Sequence, residues 1–117
     1  MAEKKKDKQK KPIKKTDKDL FDLLLRKIAS REYAFLRHAK QRQKDRKITD
    51  LEVLDILEGT KGRDRHRNKA KDKYEKNKQD WNYCIEGENL DRDKIRVIIS
   101  FENGLVPIIT VMRIKSA

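Results

Sequence analysis

Apolar residues recur at helical spacing after residue 19 of the chain. The apolar side of this predicted first helix carries Leu20, Phe21, Leu24, Leu25 and Ile28. Thr16, with a carboxylate three residues later at Asp19, has the form of a helix start. The apolar spacing continues past Ser30 to Ala39. This continuation fits one bent helix and two abutting helices equally well, with the later turns over residues 31–46.

The segment Thr49-Asp50-Leu51-Glu52 forms a capping box, in which the hydroxyl and the carboxylate satisfy opposite ends of one opening turn. The helix that it opens should end at Gly59, because glycine readily adopts the left-handed conformation found after helices. Residues 60–79 have almost no apolar content apart from Ala70 and Tyr74. They predict a long, solvated, basic loop, with or without some helix.

From residue 80 the apolar period changes to two, which indicates strands over residues 81–86 and 94–101, and residues 106–114 form a third strand-like run rich in β-branched residues. Asn103-Gly104 fits a tight two-residue hairpin, because both positions need a positive φ, and it should pair the last two strands antiparallel. Pro107 lacks an N–H, so we expect it near the hairpin end or on an outward-facing side. The order of elements predicts an α+β fold with N-terminal helices packed on a C-terminal antiparallel β-meander.

The length of 117 residues suits a single domain with a modest core. Residues 1–18 are predicted to be a disordered, lysine-rich tail, and residues 19–117 to be the domain. The tail serves either solubility or a grip on nucleic acid. No apolar run approaches a membrane span, and no secretory signal is visible, so we expect a cytoplasmic protein. Cys84 has no disulfide partner and is interpreted as a strand residue.

Basic residues outnumber acidic ones by 32 to 20, a net charge of +12 with His neutral. This balance indicates a polyanionic partner, which is RNA, DNA or an acidic protein surface. The excess lies in three blocks: +5 over residues 1–19, +5 over 31–47 and +6 over 61–78. Charge alone does not choose between these partners.

His38, Arg42 and Arg46 are spaced four residues apart, so a helix gathers them into one stripe. Two permanent cations can hold a phosphodiester, and an imidazole can move a proton. The alternatives are a structural histidine and the solvated face of an amphipathic helix. The second histidine, His66, falls in the predicted loop and is therefore the weaker candidate.

Arg96 and Thr110 are polar residues in otherwise apolar strands. The guanidinium must reach an edge, a carboxylate or a ligand. Its two interpretations are an anion-binding role that completes a catalytic pocket with His38, and an ion pair with Asp80, Glu86 or Glu102. Thr110 is a candidate for the same pocket, or it is only a β-former.

The remaining candidates are residues that would contact nucleic acid outside that pocket. Trp81 and Tyr83 share one strand face and serve either as core or as a platform for a base. The basic candidates are Lys40, Arg63, Arg65, Arg67 and Lys69.

Several enzyme classes lack their motifs. The chain has no glycine-rich phosphate loop, no nucleophile elbow and no carboxylate or Cys/His cluster with metal-ligand spacing. We therefore assign no metal and no cofactor. RNA carries its own nucleophile, the 2′-hydroxyl, so its scission needs only a base, an acid and cations that stabilise the crowded phosphorane.

A wider pattern resembles a known family. It comprises Leu36-Arg37-His38-Ala39, Arg42, Arg46, Ile48-Thr49, Val53, Leu57, Glu58-Gly59, Trp81-Asn82-Tyr83, Gly87, Arg96-Val97-Ile98 and Ile108-Ile109-Thr110-Val111. Over residues 33–114 the chain resembles the small bacterial domains grouped as domain-of-unknown-function family 4258. The resemblance implies a RelE- or barnase-like fold found among toxins that are proposed to cleave RNA. It places the family's site positions on His38, Arg42, Arg46, Arg96 and Thr110.

The leading hypothesis is a metal-independent endoribonuclease of toxin type that acts on RNA or the ribosome. Its expected protein partner is an acidic antitoxin. The second is a non-catalytic nucleic-acid-binding or regulatory module that uses the same basic surface. A third is a structural adaptor for an acidic protein.

Overall fold

The computed structural model describes residues 11–59 and 65–115. The helices are α1 (Asp17–Ala29), α2 (Arg37–Arg46) and α3 (Asp50–Glu58), with a short 3-10 turn at Lys69–Lys71. The strands are β1 (Tyr33–Phe35), β2 (Arg65–Arg67), β3 (Tyr83–Glu88), β4 (Lys94–Ile99) and β5 (Val106–Lys115). The α+β class that the sequence predicted is confirmed.

The strands form one mixed sheet in the order β1-β5-β4-β3-β2. Strands β3, β4 and β5 pair antiparallel in sequence, which confirms the predicted meander. Two short strands extend it at its edges: β1 pairs parallel to β5, and β2 pairs antiparallel to β3. The sheet is therefore wider than the sequence predicted and is not purely antiparallel.

The β4–β5 hairpin has the predicted tight turn. Asn103 and Gly104 have φ values of 52° and 79°, and the backbones of Glu102 and Leu105 exchange hydrogen bonds of 2.9 and 2.8 Å. Pro107 lies beside this turn, as expected, and its carbonyl accepts a hydrogen bond of 3.2 Å from the Ser100 N–H. The local sequence thus sets the pairing next to the turn, and the register of β4 against β5 then shifts between Ile98 and Ile99 and again between Lys94 and Ile95.

The predicted helix ends are also confirmed. Thr16 accepts a hydrogen bond of 3.2 Å from the Asp19 N–H at the start of α1. The capping box of Thr49 and Glu52 opens α3, and Gly59 ends it in the left-handed conformation, with φ of 66°. These signals depend only on residues close in sequence.

The predicted helical continuation through residues 30–36 is wrong. Arg31 takes a left-handed φ of 61°, and the chain then extends as β1. Its backbone groups are satisfied by β5: the Val106 N–H donates to Glu32 O, and the Leu36 N–H donates to Ile108 O, both at 2.9 Å. Pairing with a distant strand outweighs the local helical spacing of the apolar residues.

The predicted loop over residues 60–79 contains regular structure. Residues 65–67 form β2, residues 69–71 form the 3-10 turn, and Lys73 bridges to Asn82 across the hairpin that leads into β3. Residues 60–64 lie outside the described residues. The basic block at 61–78 is thus partly a sheet edge.

Residues 11–16, assigned to a disordered tail by the sequence, make specific contacts. The Trp81 Nε1–H donates to Pro12 O at 2.8 Å, and the Lys15 N–H donates to the Tyr83 hydroxyl at 3.0 Å. The Lys15 ammonium lies 3.1 Å from Asp80 Oδ2. This segment is therefore bound to the end of the sheet, and α1 begins at Asp17.

One face of the sheet is covered by the helices. In β4 the fully buried residues Ile95, Val97 and Ile99 alternate with partly exposed ones. The helix residues in the same core are Leu20, Leu24, Ile28, Ala39, Val53, Ile56 and Leu57. All three helices therefore pack on the face that carries Val97. Among the described residues, no helix is both long enough and apolar enough to cross a membrane.

Candidate active site

A row of four side chains crosses the other face of the sheet. His66 on β2 pairs with Glu86 on β3, Glu86 pairs with Arg96 on β4, and Arg96 pairs with Met112 on β5. Directly paired residues share a face, and Arg96 alternates with the buried core residues of β4. The row therefore lies on the face opposite the helices, which we call the uncovered face.

The polar members of this row contact one another. His66 Nε2 lies 3.3 Å from Glu86 Oε1, and Arg96 Nε donates to Glu86 Oε2 at 2.8 Å. Asn68 Nδ2 donates to the same Oε2 at 3.1 Å. The His66 side chain is 52% exposed, whereas that of Glu86 is only 10% exposed. A buried carboxylate thus connects an accessible imidazole to a guanidinium.

The carboxylate of Glu86 is stabilised in its ionised form. Burial acts to raise its pKa, but hydrogen bonds from Asn68 and Arg96, with the charges of Arg96 and His66, lower it below the ordinary value of 4.5. Glu86 therefore carries a negative charge at neutral pH. An ionised carboxylate at this distance orients an imidazole.

Cys84 lies two residues from Glu86 on the same face and is fully buried. Burial and the neighbouring carboxylate raise the pKa of its thiol to about 12. The thiol therefore stays protonated, and nucleophilic thiolate chemistry is disfavoured. This agrees with its interpretation as a strand residue.

Arg65 is oriented toward the helix-covered side of β2. Its guanidinium stacks 4.0 Å from the centre of the Phe21 ring and donates to Glu58 O, at the end of α3, at 3.2 Å. Burial lowers its pKa from the ordinary value. Arg65 closes the end of a helix instead of presenting a charge to nucleic acid.

Arg67 is buried on the same side, and only 8% of it is exposed. Its guanidinium contacts Asp72 Oδ2 at 2.8 and 2.9 Å, donates to Lys15 O at 2.6 Å and to Asp17 Oδ1 at 2.9 Å, and lies 5.1 Å from the Tyr83 ring centre. The predicted nucleic-acid contact through Arg67 is therefore replaced by an internal network. The two arginines hold β2 so that His66, between them, faces the other way.

Three other basic candidates have different surroundings. Lys69 is exposed and lies 3.7 Å from Asp17 Oδ1. Lys40 forms an ion pair with Asp50 at 2.6 Å and covers the Phe35 ring at 4.8 Å. Arg63 lies outside the described residues. Lys40 and Lys69 thus already have carboxylate partners.

The two aromatic candidates do not form a free platform. Tyr83 is fully buried, so it offers no surface for a base. Trp81 is partly buried beside Tyr74, and the ammonium groups of Lys14 and Lys11 lie 4.6 and 5.5 Å from its ring centre. Tyr83 is therefore a core residue, which is the alternative that the sequence left open. A face of the Trp81 ring is occupied by the N-terminal segment.

The stripe of His38, Arg42 and Arg46 lies on α2, as the spacing predicted. His38 is exposed, and the two arginines are half-buried. Within residues 11–59 and 65–115 these three side chains make no hydrogen bond or ion pair. Every other half-buried or buried basic side chain in those ranges has such a contact, so Arg42 and Arg46 lack an anionic partner.

The predicted pocket joins this stripe to Arg96, but the contacts of Arg96 are elsewhere. Ala39 places α2 in the helix-covered core, whereas Arg96 lies on the uncovered face and pairs with Glu86. This ion pair is one of the alternatives that the sequence left open. Thr110 shares the uncovered face with Arg96, opposite Ile98. The structure brings Arg96 and Thr110 to one face and leaves the α2 stripe separate.

Sequence reasoning missed His66 and Glu86 as members of one site. The signal that would have found them is the alternation of Arg65, His66 and Arg67, which gives one histidine a face of its own if the segment is a strand. Within the described chain, no group of three or more His, Cys, Asp or Glu side chains is arranged to hold a metal ion.

Comparison with known proteins gives one family match. A family model described as a domain of unknown function (DUF4258) matches residues 35–113, more than half of the chain. No curated protein and no solved structure matches the chain. The matched range includes β2, β3 and β4, which carry the row on the uncovered face.

Proposed function

The chain belongs to the DUF4258 family of domains of unknown function, and we propose that it is a metal-independent endoribonuclease of toxin type. The observation that carries this proposal is the contact of His66 with Glu86 at 3.3 Å and of Glu86 with Arg96 at 2.8 Å on the uncovered face. These groups provide a proton acceptor, its orienting carboxylate and a cation for a phosphate.

In the proposed reaction the His66 imidazole accepts the proton of the 2′-hydroxyl. The 2′-oxygen attacks phosphorus, the bond to the 5′-oxygen breaks, and that oxygen takes a proton from solvent. The products are a 2′,3′-cyclic phosphate and a 5′-hydroxyl. Glu86 acts as a positioning residue that stabilises the imidazolium, and Arg96 stabilises the charge on the phosphorane.

The test is incubation of RNA with the purified protein in EDTA. We expect cleavage that survives chelation, falls by about two to four orders of magnitude in His66→Ala, and falls in Glu86→Gln. The matched control is His38→Ala, since the family resemblance gives the proton-transfer role to His38 and the contacts described above favour His66. Full activity of His66→Ala would refute the assignment, and loss in His38→Ala alone would return the role to α2.

The toxin part of the proposal rests on the resemblance to RelE- and barnase-like toxins. It predicts that expression of the wild-type chain inhibits growth and that His66→Ala does not. An acidic antitoxin protein that places carboxylates on Arg96 would block the site, and its addition should restore growth. RNA or the ribosome in the cytoplasm is the proposed target.

A second candidate function is a non-catalytic nucleic-acid-binding module. It is favoured by one observation, the absence of an anionic partner for the half-buried Arg42 and Arg46 within the described residues. Such a module would bind RNA with an affinity that falls steeply with salt. It would release no product in the assay above, which distinguishes the two functions.

A further inference from the structure

Beside the row of His66, Glu86 and Arg96, the uncovered face carries a strip of Ile98, Thr110 and Met112. Ile98 pairs directly with Thr110, and Met112 is the next residue of β5 on the same face. All three are half-buried, and neither Ile98 nor Met112 belongs to the described core or packs against it. Two apolar side chains thus remain partly exposed on a sheet face without a helix over it.

The strip is continuous with the proposed phosphate site. Arg96 Nη1 lies 3.8 Å from Met112 Sδ, and Arg96 is paired with Met112 across β4 and β5. Diagonal neighbours on adjacent strands are about 7–8 Å apart, so Ile98 lies within reach of the same ligand. This is a span that one nucleotide bridges between its phosphate and its base.

We propose that this strip seats an unpaired nucleobase of an RNA whose phosphate lies on Arg96. Resting on the proposed function, this inference makes single-stranded RNA the substrate class. A base has an apolar face for Ile98 and Met112 and polar edges for a hydroxyl. The Thr110 side chain makes no hydrogen bond in the described parts of the chain, so its hydroxyl is available to such an edge.

Double-stranded RNA does not fit this arrangement. The bases of a duplex are stacked and paired, and A-form RNA presents mainly phosphates and 2′-hydroxyls, whereas bases of single strands can be splayed onto a protein surface. The +12 net charge attracts both forms. Contact between the strip and an unpaired base therefore distinguishes single-stranded from double-stranded RNA, whereas the net charge does not.

The experiment compares two single-stranded probes of equal length and charge. Both have 2′-fluoro groups in place of the 2′-hydroxyls, which prevents cleavage by the proposed reaction, and one has abasic sugars at every position. Fluorescence anisotropy gives the ratio of the two dissociation constants for the full-length chain and its variants. Because the probes carry the same phosphates, the ratio isolates the contribution of the bases.

We expect the wild type to bind the base-bearing probe about tenfold more tightly. In Ile98→Ala and in Met112→Ala this ratio should fall to about twofold. Thr110→Val removes the hydroxyl and keeps the shape of the side chain. It should divide the wild-type ratio by a factor of about three to five. Leu51→Ala is the matched control, since Leu51 is an exposed apolar residue on α3, and its ratio should not change.

A wild-type ratio near one, or a ratio unchanged by Ile98→Ala and Met112→Ala, would overturn the inference. Thermal unfolding of each variant checks that it is folded, and cleavage of unmodified RNA is measured in parallel. Absence of cleavage with the expected ratios would overturn the proposed function and leave the base site standing. Cleavage of unmodified RNA with ratios that the variants leave unchanged would overturn the base site and leave the proposed function standing.

Discussion

Replacement of Gly59 by alanine tests how the end of α3 holds β2. Gly59 has a φ of +66°, and a Cβ added there would overlap the guanidinium of Arg65. Gly104 is a matched position, because its φ is +79° but nothing lies within 4 Å of an added Cβ. Both alanine variants therefore strain the backbone, and only one of them displaces a side chain.

The expected cost follows from the contacts of Arg65. The left-handed backbone costs an alanine about 1 kcal/mol at either position. The guanidinium ends a flexible side chain, so the overlap is relieved by moving Arg65 away from Glu58 O and the Phe21 ring. Losing a charged hydrogen bond and a cation–π contact costs about 2 kcal/mol more. We expect a loss of about 3 kcal/mol for Gly59→Ala and about 1 kcal/mol for Gly104→Ala.

Thermal and urea unfolding measure these losses, and about 4 °C of Tm corresponds to 1 kcal/mol in a domain of this size. The decisive measurement is a double-mutant cycle with Arg65→Ala. In that background Gly59→Ala should cost no more than Gly104→Ala. Equal losses for the two glycine variants in the wild-type chain, or a cycle without coupling, would refute the assigned contact between Arg65 and the end of α3.

Three further predictions concern the charged groups. Arg67→Met should destabilise the fold by about 3–5 kcal/mol in urea unfolding, because it removes the guanidinium that lies 2.8 Å from the buried Asp72 carboxylate and leaves the more distant Lys14 ammonium, at 3.7 Å, whereas Lys69→Met should change stability by less than about 0.5 kcal/mol. Since the pKa of Glu86 is lowered in the folded state, its ionisation stabilises the fold above pH 4.5, and this contribution is lost as the pH falls through the folded pKa. Glu86→Gln should therefore flatten the acid limb of the stability curve. Arg42→Gln with Arg46→Gln should reduce the slope of log affinity for RNA against log salt by about 2, and an unchanged slope would exclude both residues from the RNA contact.

The elements that the sequence predicted are those with local causes. The capping box at Thr49, the helix end at Gly59 and the turn at Asn103-Gly104 each depend on residues within a few positions of one another. The strands β3 and β4 carry alternating side chains that the sequence shows directly, and β5 is a run rich in β-branched residues. These features require no knowledge of the rest of the chain.

The two edge strands lack such local causes. Before β1, the left-handed position that follows the end of α1 is occupied by Arg31. A glycine there would have indicated the helix end in the sequence. Strand β2 has the sequence Arg-His-Arg, and guanidinium faces over Phe21 and Tyr83 take the place of apolar side chains on its buried side. A strand held in this way has the composition of a solvated loop, so its long-range partners alone identify it.

The dependence of β2 on long-range partners also explains why the site was only partly predicted. Glu86 was among the partners considered for Arg96, and that pairing needs only the register of β3 against β4. His66 joins them only because Arg67 pairs with Ile85, which fixes His66 opposite Glu86. The contacts that pin Arg67 come from Asp17 and Asp72, which no motif connects to a histidine.

Net charge by segment also gives an incomplete guide to the polyanion surface. The block at residues 61–78 is the most basic, yet Arg67 is used internally, whereas Arg42 and Arg46 in the less basic block have no partner among the described residues. These two arginines belong to a helix on the covered face, and the proposed chemistry is on the uncovered face. An RNA that uses both surfaces has to bend round the sheet. A flexible single strand can follow that path more readily than an A-form duplex, which gives the same substrate class as the strip beside Arg96.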